Sequence, residues 1–333
     1  MSLLLDHLWQ STVVLAVIGL LTLFFRKNGA HVRHALWTVA SLKFLLPFVC
    51  LTALGGFVSH LFSSSPPPAP PVLTSFQSAA QPFSYNTTFA AATSSPTNWL
   101  PLLGVAWGVG FLTVCSVWLA RWRKLRATLR AAWEVEIAAP MKVKMSSERL
   151  EAGLIGIVHP VLLLPAGIEE KLSPSELEAI VAHEACHMRR RDNLFAALHM
   201  LVEALLWFWP PVWWLGARLL TERERACDEA VLRSGSDPQV YAEGILKVCK
   251  HYISSPLACA SGVSGADLKR RMEEIMENTV RARLNLPRKA MLVASAVAVL
   301  AMPLLLGVCR RLTRSVIHRL VLRIPDPPRF CAA

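Results

Sequence analysis

Four apolar segments dominate this sequence, and each is long enough to cross a lipid bilayer as a helix. They lie at about 8–25, 35–62, 99–120 and 290–309, so residues 1–120 hold three of them; a membrane-spanning helix needs about 20 apolar residues. Charged residues make up only 17% of the chain, against about 25% in a typical soluble domain. The sequence therefore predicts an α-helical, multi-pass membrane protein.

Basic residues beside these segments predict their orientation, because Lys and Arg accumulate on the cytoplasmic side of a membrane. One basic group lies between the first and second segments and another follows the third: Arg26, Lys27 and Arg33, then Arg121, Arg123, Lys124, Arg126 and Arg130. The N-terminus and the uncharged loop 63–98 are then predicted to lie outside. The Pro, Ser, Ala and Thr content of that loop is typical of an extended connector.

Charge and cysteine usage exclude several other classes of protein. The net charge of +12 suits cytoplasmic loops and lipid headgroups. No nucleic-acid recognition motif accompanies it, so we expect no direct nucleic-acid partner. The eight cysteines include no Cys-x-x-Cys pair, which favours buried or reduced thiols over a disulfide framework. The first residues lack the basic region of a cleaved signal peptide, so we expect a retained first span.

Residues 121–287 are predicted to form a cytoplasmic, membrane-associated domain. Two stretches near its start, 134–145 and 153–165, are rich in Val, Ile and Leu with turn residues between them, which predicts short strands. From residue 173 onward the pattern is helical, so the domain should have an α+β fold. A fourth span at 288–309 and a short tail at 310–333 follow it.

The segment AHEACH contains an H-E-x-x-H motif in a predicted helix. Ser173 can cap the start of that helix, with Pro174 at its first position and Glu176 completing a capping box. His183 and His187 are four residues apart and share a helical face, so both imidazoles can bind one metal ion. Glu184 lies beside them, where a carboxylate can accept a proton from water. The alternative is a helix with two ordinary histidines.

A second polar cluster, TERERACDEAVL at 221–232, offers further carboxylates on a predicted helix. Glu224 and Asp228 share one face of it. A carboxylate there can complete a His2Glu zinc site, and Asp228 can orient a ligand histidine by hydrogen bonding. The alternative is a solvated, charged helix.

Five separate blocks, in the same order along the chain, resemble the BlaR/MecR family of membrane-embedded zinc metallopeptidases. They are 32–48, 156–168, 177–193, 207–218 and 222–232, and the resemblance extends over residues 1 to about 310. It implies Zn²⁺ as the cofactor, His183 and His187 as ligands, Glu184 as catalytic base and Glu224 as third ligand. It also implies a zincin-like (gluzincin) α+β peptidase domain embedded in a multi-pass membrane protein.

The apolar segment 194–220 lies between the two halves of this site and needs a separate explanation. If His187 and Glu224 bind one metal, both lie on the same side of the membrane, and the segment is too short to cross twice. Pro210 and Pro211 interrupt any continuous helix. We therefore expect a helical hairpin at the inner leaflet, with tryptophans at the membrane interface.

The resemblance implies an integral-membrane zinc endopeptidase at the cytoplasmic face of the bacterial inner membrane. Its expected partners are the lipid bilayer and a protein substrate, either a repressor of the BlaI/MecI type or the chain itself within 253–287. An oligomer such as a dimer stays open. The tail 310–333 has no S-x-x-K motif, so we expect no penicillin-binding sensor domain.

Two other functions stay open at this point. One is a membrane zinc protease for protein quality control or prenyl-protein processing. The other is a non-catalytic, zinc-stabilised receptor or scaffold, although a structural metal site needs no base such as Glu184. Residue type alone suggests His251 and Tyr252 as a second donor to the oxyanion. In zincins a sheet edge commonly aligns the substrate, which suggests 153–165 as the substrate-binding strand. Cys186 and Cys227 are expected to be buried by packing, with a thiolate ligand or a redox switch as the alternative.

Overall fold

The computed structural model describes residues 2–26, 28–46, 99–147, 152–253, 265–277 and 294. The predicted loop 63–98 and tail 310–333 lie outside the described residues, as do most of the fourth span and the second half of the second span. The chain forms two compact units, Met1–Leu20, Leu42–Ser94 and Asn285–Ala333 in one, and Leu21–Ser41 and Ser95–Leu284 in the other. Every residue of the site discussed below belongs to the second unit.

Three helices form the first part of the described chain: α1 (Ser2–Phe24), α2 (Ala30–Leu45) and α3 (Leu100–Ala131). Within the described residues, two segments are long and apolar enough to cross a membrane, Leu4–Phe24 and Pro101–Ala131. None of the apolar stretch of α3 is buried inside the protein. The helix extends well past the predicted span 99–120 and carries the basic residues after residue 120 on the same helix.

A four-stranded sheet follows, as predicted from the two stretches rich in Val, Ile and Leu. Its strands are β1 (Trp133–Val135), β2 (Lys142–Ser146), β3 (Gly153–Ile155) and β4 (Val161–Pro165), in the order β1-β2-β4-β3. Strand β2 is parallel to β4, and the two outer pairs are antiparallel.

The stretch 153–165 was expected to be one substrate-binding strand, and that expectation is wrong in its extent. The chain reverses direction at Gly156, whose φ is 104°, a left-handed conformation that favours glycine. A Cβ at this position would also lie 2.7 Å from the carbonyl oxygen of His159. The stretch therefore forms two strands, and of these two only β3 lies at an edge of the sheet, because β4 is paired on both sides.

Five helices complete the described part: α4 (Pro174–Arg190), α5 (Asp192–Leu205), α6 (Pro210–Arg233), α7 (Pro238–Ile253) and α8 (Gly265–Met276). Helix α4 starts with the predicted capping box. The Ser173 hydroxyl accepts from the Glu176 amide at 3.3 Å, and the Glu176 carboxylate accepts from the Ser173 amide at 2.7 Å. The Lys247 ammonium of α7 also donates to Glu176, at 2.6 Å, so the start of α4 is tied to α7.

The hydrophobic core packs α4 between the sheet and α7. Leu162 and Leu164 of β4, Ile180 of α4 and Tyr241 and Ile245 of α7 are all buried in one cluster. Burial of a side chain of this size stabilises a fold by about 1.5–3 kcal/mol. Helix α4 is therefore held on two sides before any ligand binds.

Helices α5 and α6 form the predicted hairpin, with the break at residues 206–209 and Pro210 opening α6. Helix α6 then runs without a break from its apolar first half into the predicted charged segment 221–232. One face of α6 holds α2: Glu222 accepts from Arg33 at 2.8 Å, and Glu229 accepts from the Ala30 amide at 3.0 Å. The adjoining face carries Glu224 and Asp228.

Candidate active site

Helix α4 brings the side chains of His183 and His187 together, as their spacing predicts. Their Nε2 atoms are 3.1 Å apart, and the two rings are nearly perpendicular, with centroids 4.8 Å apart. Both side chains are buried.

Glu224 of α6 faces the same two nitrogen atoms. Its Oε2 lies 3.4 Å from His183 Nε2, and its Oε1 lies 3.8 Å from His187 Nε2. Burial alone would raise the pKa of Glu224, but its contact with His183 and the charges of Arg271 and Arg223 hold it well below its usual value. The carboxylate is therefore charged and can serve as a metal ligand.

The opposite nitrogen of each imidazole has its own partner, and these partners determine the tautomers. His187 Nδ1 lies 2.7 Å from Asp192 Oδ2, a carboxylate that can only accept. His183 Nδ1 lies 2.8 Å from the Tyr241 hydroxyl, which donates to Asp228 at 2.6 Å and so accepts from the histidine. With a metal ion bound, these contacts would hold one proton on each Nδ1 and leave both Nε2 lone pairs facing Glu224.

This donor set fits a zinc ion. Two imidazole lone pairs and a carboxylate facing one another repel unless a cation lies between them. Ligand atoms about 2.0–2.1 Å from a tetrahedral zinc ion lie about 3.3 Å from one another, and the Nε2 and nearest carboxylate atoms here are 3.1, 3.4 and 3.8 Å apart.

Glu184 lines the same cavity, which has a volume of about 320 Å³. Burial raises the pKa of its carboxyl group, and the neighbouring histidines oppose that rise. A carboxyl group whose pKa is raised is suited to accept and return a proton. Leu154 of β3 also lines the cavity, so the edge strand borders the site.

Asp228 contacts His183 mainly through an intermediate, the Tyr241 hydroxyl, and its predicted role in orienting that histidine stays a prediction. Its Oδ1 is 3.3 Å from His183 Nδ1, while the Tyr241 hydroxyl contacts both groups at shorter distances. Arg271 donates to both oxygens of Asp228, at 2.7 and 2.8 Å. Burial would raise the pKa of Asp228, but the charge of Arg271 and the contact with His183 lower it to about 2.

Asp192, Tyr241 and Arg271 are site residues that sequence reasoning missed. Asp192 is detectable in principle, because it follows His187 by five residues at the helix end. There Arg191 adopts a left-handed conformation with φ 55°, which turns the chain back toward the histidine. Tyr241 and Arg271 come from α7 and α8, and no local pattern points to them.

The other sequence predictions for this region meet different outcomes. His251 is not among the cavity-lining residues, and its Nδ1 instead lies 2.7 Å from the Lys171 ammonium; the Tyr252 side chain lies outside the described residues. Cys186 and Cys227 are buried, with 4% and 0% exposure, as predicted for packing. Cys227 Sγ approaches His187 Nδ1 at 3.4 Å, on the side away from Glu224.

A helix with an H-E-x-x-H motif and a later glutamate that faces its histidines are features typical of metallopeptidases. Comparison of families agrees: the chain belongs to the peptidase M56 family (BlaR1 peptidase M56), whose model matches residues 1–275. It is 34% identical over 149 residues to the regulatory protein BlaR1 of Bacillus licheniformis, across 42% of this chain and 24% of that protein. It is 28% identical over 96 residues to the methicillin resistance mecR1 protein of Staphylococcus aureus, across 28% and 16%. The matched stretches are thus a minor part of each relative.

Proposed function

We propose that this chain is an integral-membrane zinc endopeptidase that transmits a signal by cleaving a protein. The observation that carries the proposal is the convergence of His183, His187 and Glu224 in one cavity with Glu184. His183, His187 and Glu184 come from one helix and Glu224 comes from another, so the arrangement depends on how these helices pack. Membership of the M56 family supports it.

In this proposal His183, His187 and Glu224 hold the zinc ion. When bound, zinc supplies Lewis-acid chemistry, lowering the pKa of water and polarising a peptide carbonyl. Glu184 accepts the proton from the attacking water on its carboxylate and returns it to the leaving amine. Asp192 holds the ring of His187 in place, and Tyr241 with Asp228 holds that of His183.

The membrane arrangement is also a proposal. We propose four spans, three of them within residues 1–120, with the zincin-like domain 121–287 on the cytoplasmic side of a bacterial inner membrane. The two long apolar helices and the basic residues that follow residue 120 support this topology. The α5–α6 hairpin would then lie at the inner leaflet, with Trp213 and Trp214, which are partly exposed, at the interface.

The substrate we propose is a transcriptional repressor of the BlaI/MecI type, with the chain itself as a second target. The names of the two relatives, a regulatory protein and a methicillin resistance protein, support a regulatory role. We place the proposed self-cleavage within 253–287, because that segment precedes the fourth span in the sequence.

Substitution of the proposed base tests this function directly. The full chain and its Glu184→Gln variant would be compared for zinc content and for cleavage of a BlaI/MecI-type repressor, of labelled casein and of the chain itself. We expect unchanged zinc content and loss of all cleavage in the variant. Glu178→Gln is the matched control, since Glu178 is exposed on the same helix. Cleavage by the Glu184→Gln variant at the wild-type rate would contradict the proposal.

A further inference from the structure

Arg271 of α8 reaches the cavity and contacts three groups of the site. Its Nε and Nη2 donate to the two oxygens of Asp228 at 2.8 and 2.7 Å. Its Nη1 lies 3.5 Å from Glu224 Oε2, and its Nη2 lies 3.4 Å from His183 Nε2. The guanidinium therefore borders the acceptor atoms of the proposed zinc ligands while Asp228 holds it from behind.

The position of this guanidinium is determined by packing as well as by charge. Helix α8 buries Ile275 in the core, and its Glu274 accepts from Arg225 of α6 at 2.8 Å. An Arg–carboxylate pair with two hydrogen bonds restricts both the distance and the plane of the guanidinium. Arg271 is therefore held in one orientation at the cavity.

Zinc binding would change what the outer N–H groups of Arg271 can contact. The lone pairs of His183 Nε2 and Glu224 that now face them would be used by the metal. The two hydrogen bonds to Asp228 would stay, because Asp228 is not a ligand in this arrangement. The Nη1 and Nη2 groups would then present positively charged donors to whatever occupies the cavity beside the ligands.

We propose that Arg271 is a catalytic residue that donates hydrogen bonds to the carbonyl oxygen of the scissile peptide bond. The water oxygen bonds to the carbonyl carbon, its proton passes to Glu184, and the carbonyl electron pair moves onto the oxygen that Arg271 contacts. The C–N bond then breaks, the carbonyl re-forms, and the amine takes the proton from Glu184. This inference rests on the proposed peptidase function and adds a residue to it.

Other polar groups near the site are less well placed for this role. The Tyr241 hydroxyl lies on the Nδ1 side of His183 and donates to Asp228. Arg223, the other arginine that lines the cavity, uses Nε and Nη2 to bind Glu224 Oε1 at 3.1 and 2.9 Å. The two hydrogen bonds of Arg223 therefore go to a proposed zinc ligand, whereas those of Arg271 go to Asp228, which is not a ligand in this arrangement.

The test uses the full chain in detergent with three variants: Arg271→Ala, Arg271→Lys and, as a matched control, Arg270→Ala. Arg270 is the adjacent residue on α8, its side chain is 63% exposed, and it contacts Glu274 outside the cavity. Metal content, kcat and KM on labelled casein would be measured. Inorganic phosphate would serve as a tetrahedral anion probe, titrated into cobalt-substituted protein and followed by its visible absorption.

Loss of a hydrogen-bond donor to a developing oxyanion lowers kcat by about 10²–10³-fold, and we expect a loss in that range for Arg271→Ala. KM and metal content should change little, and phosphate should bind at least about 10-fold more weakly. Arg271→Lys should keep the charge but recover only part of kcat, because lysine lacks the planar fork. Arg270→Ala should match the wild type in all four measurements.

Two results would overturn the inference while leaving the peptidase function standing. One is wild-type kcat and phosphate affinity in metal-loaded Arg271→Ala. The other is a loss of kcat fully explained by loss of metal, which would make Arg271 a residue that only supports the ligands. A wild-type chain that neither binds zinc nor cleaves protein would instead refute the peptidase function, and this inference with it.

Discussion

The two histidines of α4 are one helical turn apart and equally buried, yet the protein supports them in different ways. His187 is bonded directly to a carboxylate, that of Asp192, five residues away. His183 reaches its carboxylate, Asp228, mainly through the hydroxyl of Tyr241, and Arg271 binds the same carboxylate. One imidazole is oriented by the first residue of the next helix, α5, and the other by three further helices.

The unequal support of the two histidines indicates which parts of the fold each one depends on. The His187 contact needs α4, the turn at Arg191 and the first residue of α5, so it should persist wherever this continuous segment is folded. The His183 side needs α6, α7 and α8 in place, so it reports on the packing of the whole helical part. Movement of α6, α7 or α8 would therefore disturb His183 first.

Removal of either imidazole should lower zinc affinity more than any other change, and by a similar amount for His183 and His187. His183→Ala and His187→Ala each delete a proposed ligand, so we expect zinc affinity to fall by more than about 100-fold in both. Zinc content after dialysis and casein cleavage would measure it. A variant that kept wild-type zinc affinity would remove that histidine from the ligand set.

A change at Asp192, which contacts His187 directly, should have the second-largest effect on zinc affinity. Asp192→Asn keeps the shape of the side chain but removes the charge that fixes the tautomer of His187. We expect zinc affinity to fall by about 10–100-fold, the range seen when a partner of a ligand histidine is lost. Competition with a chromophoric chelator measures this loss. Wild-type affinity in this variant would show that the contact at His187 is not needed.

Removal of the Tyr241 hydroxyl, which links His183 to Asp228, should lower zinc affinity less. Tyr241→Phe removes the hydroxyl between His183 and Asp228, but Asp228 Oδ1 still lies 3.3 Å from His183 Nδ1 and can take over the contact. We expect a loss of zinc affinity at or below about 10-fold, the lower end of that range. A loss larger than that of Asp192→Asn, in the same chelator assay, would reverse the comparison.

The smallest loss of zinc affinity should come from changing Arg190, which contacts Asp192 rather than a histidine. Arg190 binds Asp192 at 3.2 Å, and its side chain is 21% exposed. A partly exposed ion pair of this kind contributes about 0.2–1 kcal/mol, so Arg190→Gln should weaken zinc binding by less than about 5-fold. An effect equal to that of Asp192→Asn would mean that the arginine, and not the carboxylate, orients His187.

Sequence reasoning succeeded where the physical signal is local. The capping box at Ser173, the four-residue spacing of His183 and His187, and the break at Pro210 each depend on a few neighbouring residues, and all three appear in the structure. Glu224 was implied by family resemblance, and the fold brings it to the histidines. The stretch 153–165, predicted as one strand, is divided in two by the turn at Gly156.

Tyr241 and Arg271 could not be predicted in the same way. Both lie on ordinary amphipathic helices, and their role arises only because α7 and α8 pack against α4 and α6. A tyrosine or an arginine on such a helix is most often a core or surface residue. Their significance depends on distances across the fold that one sequence does not contain.

A second set of donors makes the ligand assignment open to a direct test. Among the described residues, His187, Asp192 and Cys227 also lie close enough together to hold an ion, on the Nδ1 side of His187. X-ray absorption at the zinc edge of the purified full chain distinguishes the two sets. Zinc held by two histidines and Glu224 would show only nitrogen and oxygen neighbours, at about 2.0–2.2 Å. A sulfur neighbour at about 2.3 Å would place the metal at Cys227 and contradict this ligand set.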